Sequence, residues 1–321
     1  MLSGRLCLVV AFAISIPFLL CGCGSLPTAS APALYLFSVL NDRQPVGPQT
    51  YTSVSGTSLL PLKKNNRENI VPYMPGFRDP RLLQVGNRYY YSYTVHRRYS
   101  SSIGLIYSSD LQNWTSVTTP NWSSLEVGRE NAIWNGAWWN NNGQYYMFFG
   151  ACERSATLCT PYFVQFDPAS NTFGVPQPMF FTPKAPHNYT IVMSVFQSAG
   201  MNWALLQTMD VTGKSVVALA SFTSITSPWA SNWSMIGDQP RHKESGAVIV
   251  LPNGNLRVYY VEINGGKLFY TTANGNDPST ATWSAPQAIP PFRHAYQPAD
   301  WVDVVPVSNF QMLQSISNLE Q

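Results

Sequence analysis

Charge is scarce in this chain: Lys, Arg, Asp and Glu make up 11% of 321 residues, and the net charge is +3. Nineteen basic residues against 16 acidic ones, with no block of either sign, exclude a nucleic-acid surface built on a basic stripe. Long solvent-facing helices are excluded on the same ground, because they draw on Lys, Glu and Arg. Cysteine is scarce as well: of five, Cys7, Cys21 and Cys23 fall in the first 23 residues. Disorder is excluded by the opposite measure, since 45% of the residues are hydrophobic and 13% aromatic. What the chain has in quantity is ring and turn: ten Trp, 17 Tyr, 25 Pro and 21 Gly. That is the make-up of a turn-rich all-β protein.

One long apolar run exists, and it stands at the start. Arg5 precedes Leu6 to Leu20, followed by Cys21-Gly22-Cys23-Gly24-Ser25. A basic residue, an apolar stretch of about 15 residues and a small-residue cleavage point make a secretory signal. The run is short for a transmembrane helix, which needs roughly 20 apolar residues. Leu20-Cys21-Gly22-Cys23 resembles a bacterial lipobox, in which the last Cys is lipidated and becomes the new N-terminus. Residues 1–22 are then a lipoprotein signal peptide, 23–33 a Ser-, Pro- and Ala-rich tether, and Cys23 a lipid anchor to a membrane. The alternative is a plain signal peptide cut near Ala29 or Ala31. Either reading sends the protein out of the cytoplasm, the first to the cell envelope.

Two cysteines remain, Cys152 and Cys159, seven apart. In an exported protein a disulfide closing that small loop is expected. Two thiols without a nearby His make a poor zinc site, and no compact set of carboxylates marks calcium, so no metal or cofactor is expected.

A repeat of about 56 residues organises the rest. Aromatic strands begin near Tyr35, Tyr89, Tyr145, Trp203 and Val258, and Gly86-Asn87, Asn142-Gly143 and Asn253-Gly254 form turns before three of them. A second marker, a large apolar residue closing each unit, falls at Leu60, Trp114, Phe173, Trp233 and Trp283. Two markers agree on five units of several short strands. The expected fold is all-β, a five-bladed β-propeller over residues 34–321. A sandwich or barrel with chance spacing is the alternative.

Three strings stand out at the expected starts of inner strands and at the C-terminal end. They are Arg78-Asp79-Pro80, Lys243-Glu244-Ser245-Gly246 and Arg293-His294-Ala295. Together with Ser109-Asp110-Leu111-Gln112-Asn113-Trp114, their order resembles the five-bladed propeller glycosidases of glycoside hydrolase family 43. The resemblance spans about residues 34 to 305. It implies an inverting hydrolase of arabinose- or xylose-containing glycans, acting on an oligosaccharide or polysaccharide. By that resemblance Asp79 is the general base and Glu244 the general acid. Arg78, Trp134, Trp138 and His294 are candidate substrate-binding residues; flat indole rings stack on sugars, though packing in the core is the other use for them.

The departures are specific. The family's third carboxylate, in an Ile-Asp-Pro string, falls on Val192 of Ile191-Val192-Met193. The family's Trp-Ala-Pro-Asp/Glu string becomes Trp134-Asn135-Gly136-Ala137. Asp79 has a structural alternative, capping a turn or pairing with Arg78 or Arg81. Glu244 has one too, an ion pair at the start of a strand. Three functions follow: an active exported glycosidase, a propeller that binds glycans at the cell surface without turnover, or a structural or partner-binding lipoprotein.

Overall fold

The computed structural model describes residues 34–40, 49–53, 55, 57, 60–61, 77–96, 101–111, 113–122, 125, 131–153, 158–182, 189–209, 215–232, 243–262, 267–290 and 301–307. The expected signal peptide and tether, with Cys23, lie outside the described residues, as does His294. The described residues form strands and turns, with no helix.

The first blade begins with β1 (Leu34–Leu40), β2 (Gln49–Ser53) and β3 (Leu60–Pro61). The second is β4 (Phe77–Val85), β5 (Arg88–His96), β6 (Ser101–Ser108) and β7 (Thr115–Val117). The third is β8 (Asn131–Asn141), β9 (Gln144–Glu153) and β10 (Cys159–Asp167), edged by β11 (Thr172–Phe173) and β12 (Gln177–Pro178). In the fourth, β13 (Phe181–Thr182) edges β14 (Thr190–Ser198), β15 (Met201–Met209), β16 (Ser215–Phe222) and β17 (Trp229–Asn232). The fifth is β18 (Lys243–Val250), β19 (Leu256–Glu262) and β20 (Lys267–Asn274), with β21 (Thr282–Trp283) and β22 (Gln287–Ala288). The last strand, β23 (Trp301–Val307), returns to the first blade and pairs antiparallel with β1, Leu34 opposite Val307. Five small sheets result, antiparallel except where the edge strand β13 lies parallel to β17. Their inner strands β4, β8, β14, β18 and β23 pack side by side, and β23 meets β4 to close the ring. The protein is a five-bladed β-propeller.

The sequence explains this packing directly. The aromatic runs are the second strands of the blades, and Tyr89, Tyr90 and Tyr91 are all fully buried. Each sheet covers both faces with its neighbours. Leu83 and Tyr90 of the second blade share a cluster with Trp138, Phe149 and Phe166 of the third. Ala137, Trp139 and Phe148 of the third share another with Leu206, Ala220 and Trp229 of the fourth. Val217 and Leu219 meet Val258 and Tyr260 between the fourth and fifth. Tyr259 and Val261 meet Phe37 and Val304 between the fifth and first. Each such side chain contributes roughly 1.5–3 kcal/mol by leaving water.

Two-residue turns join the inner strand to the second one in blades two, three and four. Gly86-Asn87 links Val85 to Arg88, and Asn142-Gly143 links Asn141 to Gln144. Asn142 and Gly143 both have positive φ (51° and 87°), the geometry that matches the twist of paired strands. Ala199-Gly200 does the same work in the fourth blade, with Ala199 at φ 50°. The sequence alone gives no warning of that turn, because Ala seldom adopts this conformation. Cys152 and Cys159 face each other on β9 and β10 and are joined as a disulfide.

Candidate active site

Four of the inner strands break register at one level. The breaks lie between Arg78 and Arg81, Asn135 and Trp138, Val192 and Ser194, and Glu244 and Gly246. A β-bulge inserts unpaired residue into a strand and re-aims what stands beside it. Asp79, Asn135, Val192 and Glu244 each lie six residues before the last paired residue of their strand, which is Val85, Asn141, Ser198 or Val250. One rung of the ring therefore carries Asp, Asn, Val and Glu. Asp79 and Glu244, the expected base and acid, both lie at the bulge of an inner strand, Asp79 within it and Glu244 as the last paired residue before it. The side chain of Glu244 is outside the described set.

Asp79 is held under constraint. It precedes Pro80, which disfavours all but extended conformations, yet its φ is 50°. Such a backbone costs of order 1–3 kcal/mol and persists only where its surroundings impose it. Those surroundings are visible. Asn135 Nδ2 donates to the Asp79 carbonyl at 2.7 Å. Thr94 Oγ1 donates to Asp79 Oδ2 at 2.5 Å and accepts from the Asn135 backbone N–H at 2.8 Å. Because that N–H occupies an acceptor site of the hydroxyl, the hydroxyl proton is directed at the carboxylate. Asp79 is only 2% exposed. In the sequence Asn135 stands only within a departure from the family's second-blade string, and Thr94 carries no signal, because the contact of Asn135 with Asp79 and Thr94 is made only when blades two and three meet.

Val192 stands at the equivalent level but in different company. It is 1% exposed and packs with Ala137, Phe148, Ala204 and Leu206. Its carbonyl comes within 2.8 Å of where a Cβ on Gly136 would be, so β8 and β14 approach as closely as glycine permits.

The other candidates separate. Arg78 is paired in register with Thr94 and is partly exposed, beside Asp79. Trp134 is partly exposed, one residue from Asn135, and its ring stacks on that of His96 at 5.8 Å. His96 Nδ1 lies 3.1 Å from Ser101 Oγ. Trp138 does not join them. It is buried, its Nε1 donates to Ser92 Oγ at 2.8 Å, and its ring meets Phe166 edge-on. Trp138 lies beyond the bulge and packs between blades two and three, away from Trp134, and it also borders the cavity described below. Arg81 pairs with Asp303 at 3.5 Å. Among the described residues no group of three His, Cys, Asp or Glu is placed to hold a metal.

A cavity of about 640 Å³ opens at the hairpin end of the channel, away from Asp79. Leu82, Trp139, Asn140, Ser194, Gln197 and Asp303 are among the residues around it. Asp303, in the lining of that cavity, pairs with Arg81.

Three comparisons bear on these features. The model of glycosyl hydrolases family 43 matches residues 71–232, half of the chain and the part that carries Asp79, Asn135 and Val192. An endo-1,4-beta-xylanase from Bacteroides thetaiotaomicron superposes with a TM-score of 0.57 at 12% identity, covering 80% of this chain and 92% of the other. An exo-1,5-alpha-L-arabinanase from a bovine ruminal metagenomic library gives 0.55 at 12% identity, with 79% and 93% covered. A Hadza microbial sialidase gives 0.51 at 13% identity and covers 75% of this chain, which spans only 54% of that longer protein. At these identities the superpositions speak for the fold. No curated protein sequence matches the chain. The family match, the five-bladed ring and the strained Asp-Pro on its inner strand agree, and the chain belongs to glycosyl hydrolases family 43.

Proposed function

We propose that the protein hydrolyses arabinose- or xylose-containing glycans by an inverting mechanism, with Asp79 as general base and Glu244 as general acid. The observation that carries this reading is the restraint on Asp79. A carboxylate held at positive φ, with Thr94 donating to one oxygen and Asn135 fixing its carbonyl, is built for a task other than packing. Glu244 shares its level of the ring. In-line displacement with inversion needs two carboxyls roughly 6.5–9.5 Å apart, leaving room for the attacking water. Asp79 takes the proton of that water, and Glu244 protonates the departing glycosidic oxygen. The xylanase and arabinanase named above support the sugar class. The exposed His96 ring, backed by the stacked Trp134 ring near the bulge, offers an aromatic surface for an uncharged sugar.

Val192 favours a second reading, a glycan-binding propeller without turnover. A third carboxylate there would raise the acid's pKa by like-charge repulsion, and Val192 contributes no charge. The two readings part in one experiment: wild type and Glu244→Gln are assayed on aryl α-L-arabinofuranoside, aryl β-D-xyloside, arabinan and xylan. Turnover with inverted product anomer, lost in E244Q with the fold intact, supports the hydrolase. Glycan affinity without turnover in wild type moves the protein to the binding class. The proposal includes export and a lipid on Cys23, which places the propeller in the cell envelope. Incorporation of labelled palmitate that disappears in Cys23→Ser tests that part.

A further inference from the structure

Arg81 is a large charged side chain that is 1% exposed, and the chemistry above does not use it. Its guanidinium reaches three inner strands other than its own. Nη1 donates to the carbonyls of Gly246 on β18 and Val302 on β23, each at 3.3 Å. The same nitrogen lies 3.5 Å from Asp303 Oδ1, and Nη2 lies 3.6 Å from Met193 Sδ on β14. Asp303 Oδ2 in turn accepts from the Leu82 backbone N–H at 2.7 Å, which ties β23 back to β4.

Stability alone is a poor reason for such a group. A buried ion pair often gains no more than an apolar pair of the same volume would. Its geometry is more informative. Arg81 is two residues beyond Asp79, just past one bulge, and Gly246 is two residues beyond Glu244, just past another. One side chain thus spans the ring between the strands that carry the two carboxylates, and it grips the second by the carbonyl that ends its bulge. Met193, the bulge residue of the strand carrying Val192, meets the same guanidinium.

We infer that Arg81 is a positioning residue that sets the separation between the strands bearing Asp79 and Glu244. The inference rests on the hydrolase reading. It concerns β18 through its backbone, not through contact with substrate. Inversion tolerates little error in carboxyl spacing, and a displacement of 1 Å costs about 100-fold in rate. Loss of the span therefore lowers kcat while the sugar contacts that set KM remain.

The test compares wild type, Arg81→Lys and Arg81→Met in kcat and KM on an aryl pentoside, with crystal structures of each. R81K keeps a charge for Asp303 but has no planar fork to reach two carbonyls and a sulfur together. The expected result is a kcat about 100-fold down in R81M with KM within about threefold, and an intermediate loss in R81K. The Glu244–Gly246 bulge should shift relative to Asp79 in both variants. A lower melting temperature with wild-type kcat per folded molecule overturns the inference and leaves Arg81 a structural pin. If R81M does not fold, R81K decides: full kcat in it overturns the proposal. If wild type shows no turnover, the hydrolase reading falls separately. The Asp79–Glu244 carboxyl separation in the crystals then settles Arg81, and an unchanged separation overturns its role.

Discussion

Asn135 and Thr94 form a chain of donors that ends on Asp79 as acceptor, and each member has a definable task. Thr94→Val keeps the shape and removes the hydroxyl, so both the Asp79 oxygen and the Asn135 N–H lose a buried partner. Hydrogen bonds to charged groups are worth about 1.5–3 kcal/mol, and kcat should fall roughly tenfold or more with a lowered melting temperature. Thr94→Ser, assayed beside it, should retain most activity. Asp303 gives a pH test. Burial raises its carboxyl above the usual range, with the Arg81 guanidinium opposing. Folding therefore favours the protonated form. That contribution is complete below the ordinary carboxylate value and is lost as pH rises through the raised one. Asp303→Asn should remove this downward slope from a plot of melting temperature against pH. Asp79 was legible because Asp-Pro before an apolar strand is a local signal. Thr94, Asn135, Arg81 and Asp303 were not, because each gains its meaning from a strand far away in the chain.

At the scale of the strand, the bulge is the feature that sequence conceals. It has no composition of its own here: Asp-Pro, Gly-Ala, Met and Ser stand in the four positions. That is why Trp138 reads as a neighbour of Trp134 in the sequence and yet faces the interblade wedge. Gly136 marks how tightly two inner strands meet. A methyl there would come within 2.8 Å of the backbone oxygens of both Phe148 and Val192. Neither obstacle is a side-chain tip that can swing aside, so Gly136→Ala should cost about 1–3 kcal/mol, read in a denaturant titration. The disulfide is a smaller matter of the same kind. Closing so short a loop contributes about 2–3 kcal/mol in the chain-entropy account, and dithiothreitol should lower the melting temperature without dissolving the fold. Turns carried by Gly-Asn and Asn-Gly were readable, whereas Ala199-Gly200 took a backbone that Ala rarely accepts.

For the whole molecule, the period of about 56 residues gave away the number of blades, because every second strand must be apolar on both faces. Closure was not written so plainly. Trp301–Val307 has no aromatic repeat marker, yet it supplies the inner strand of the first blade. A chain ending before residue 301 should therefore lose the single cooperative thermal transition of the full chain, and an increase in binding of a hydrophobic dye should accompany that loss. The loss should far exceed the effect of cutting residues 308–321.

The pairing of β1 with β23 also fixes an order of events. Among the described strands, the first has no partner on its inner side until the last has left the ribosome. Until then the blades present bare apolar faces and the circle stays open. A leader that draws the chain through a narrow conduit as it is made would meet an unfinished polymer, not a rigid disc. Under the export proposed above, folding would fall to the far side of that membrane, after β23 is released.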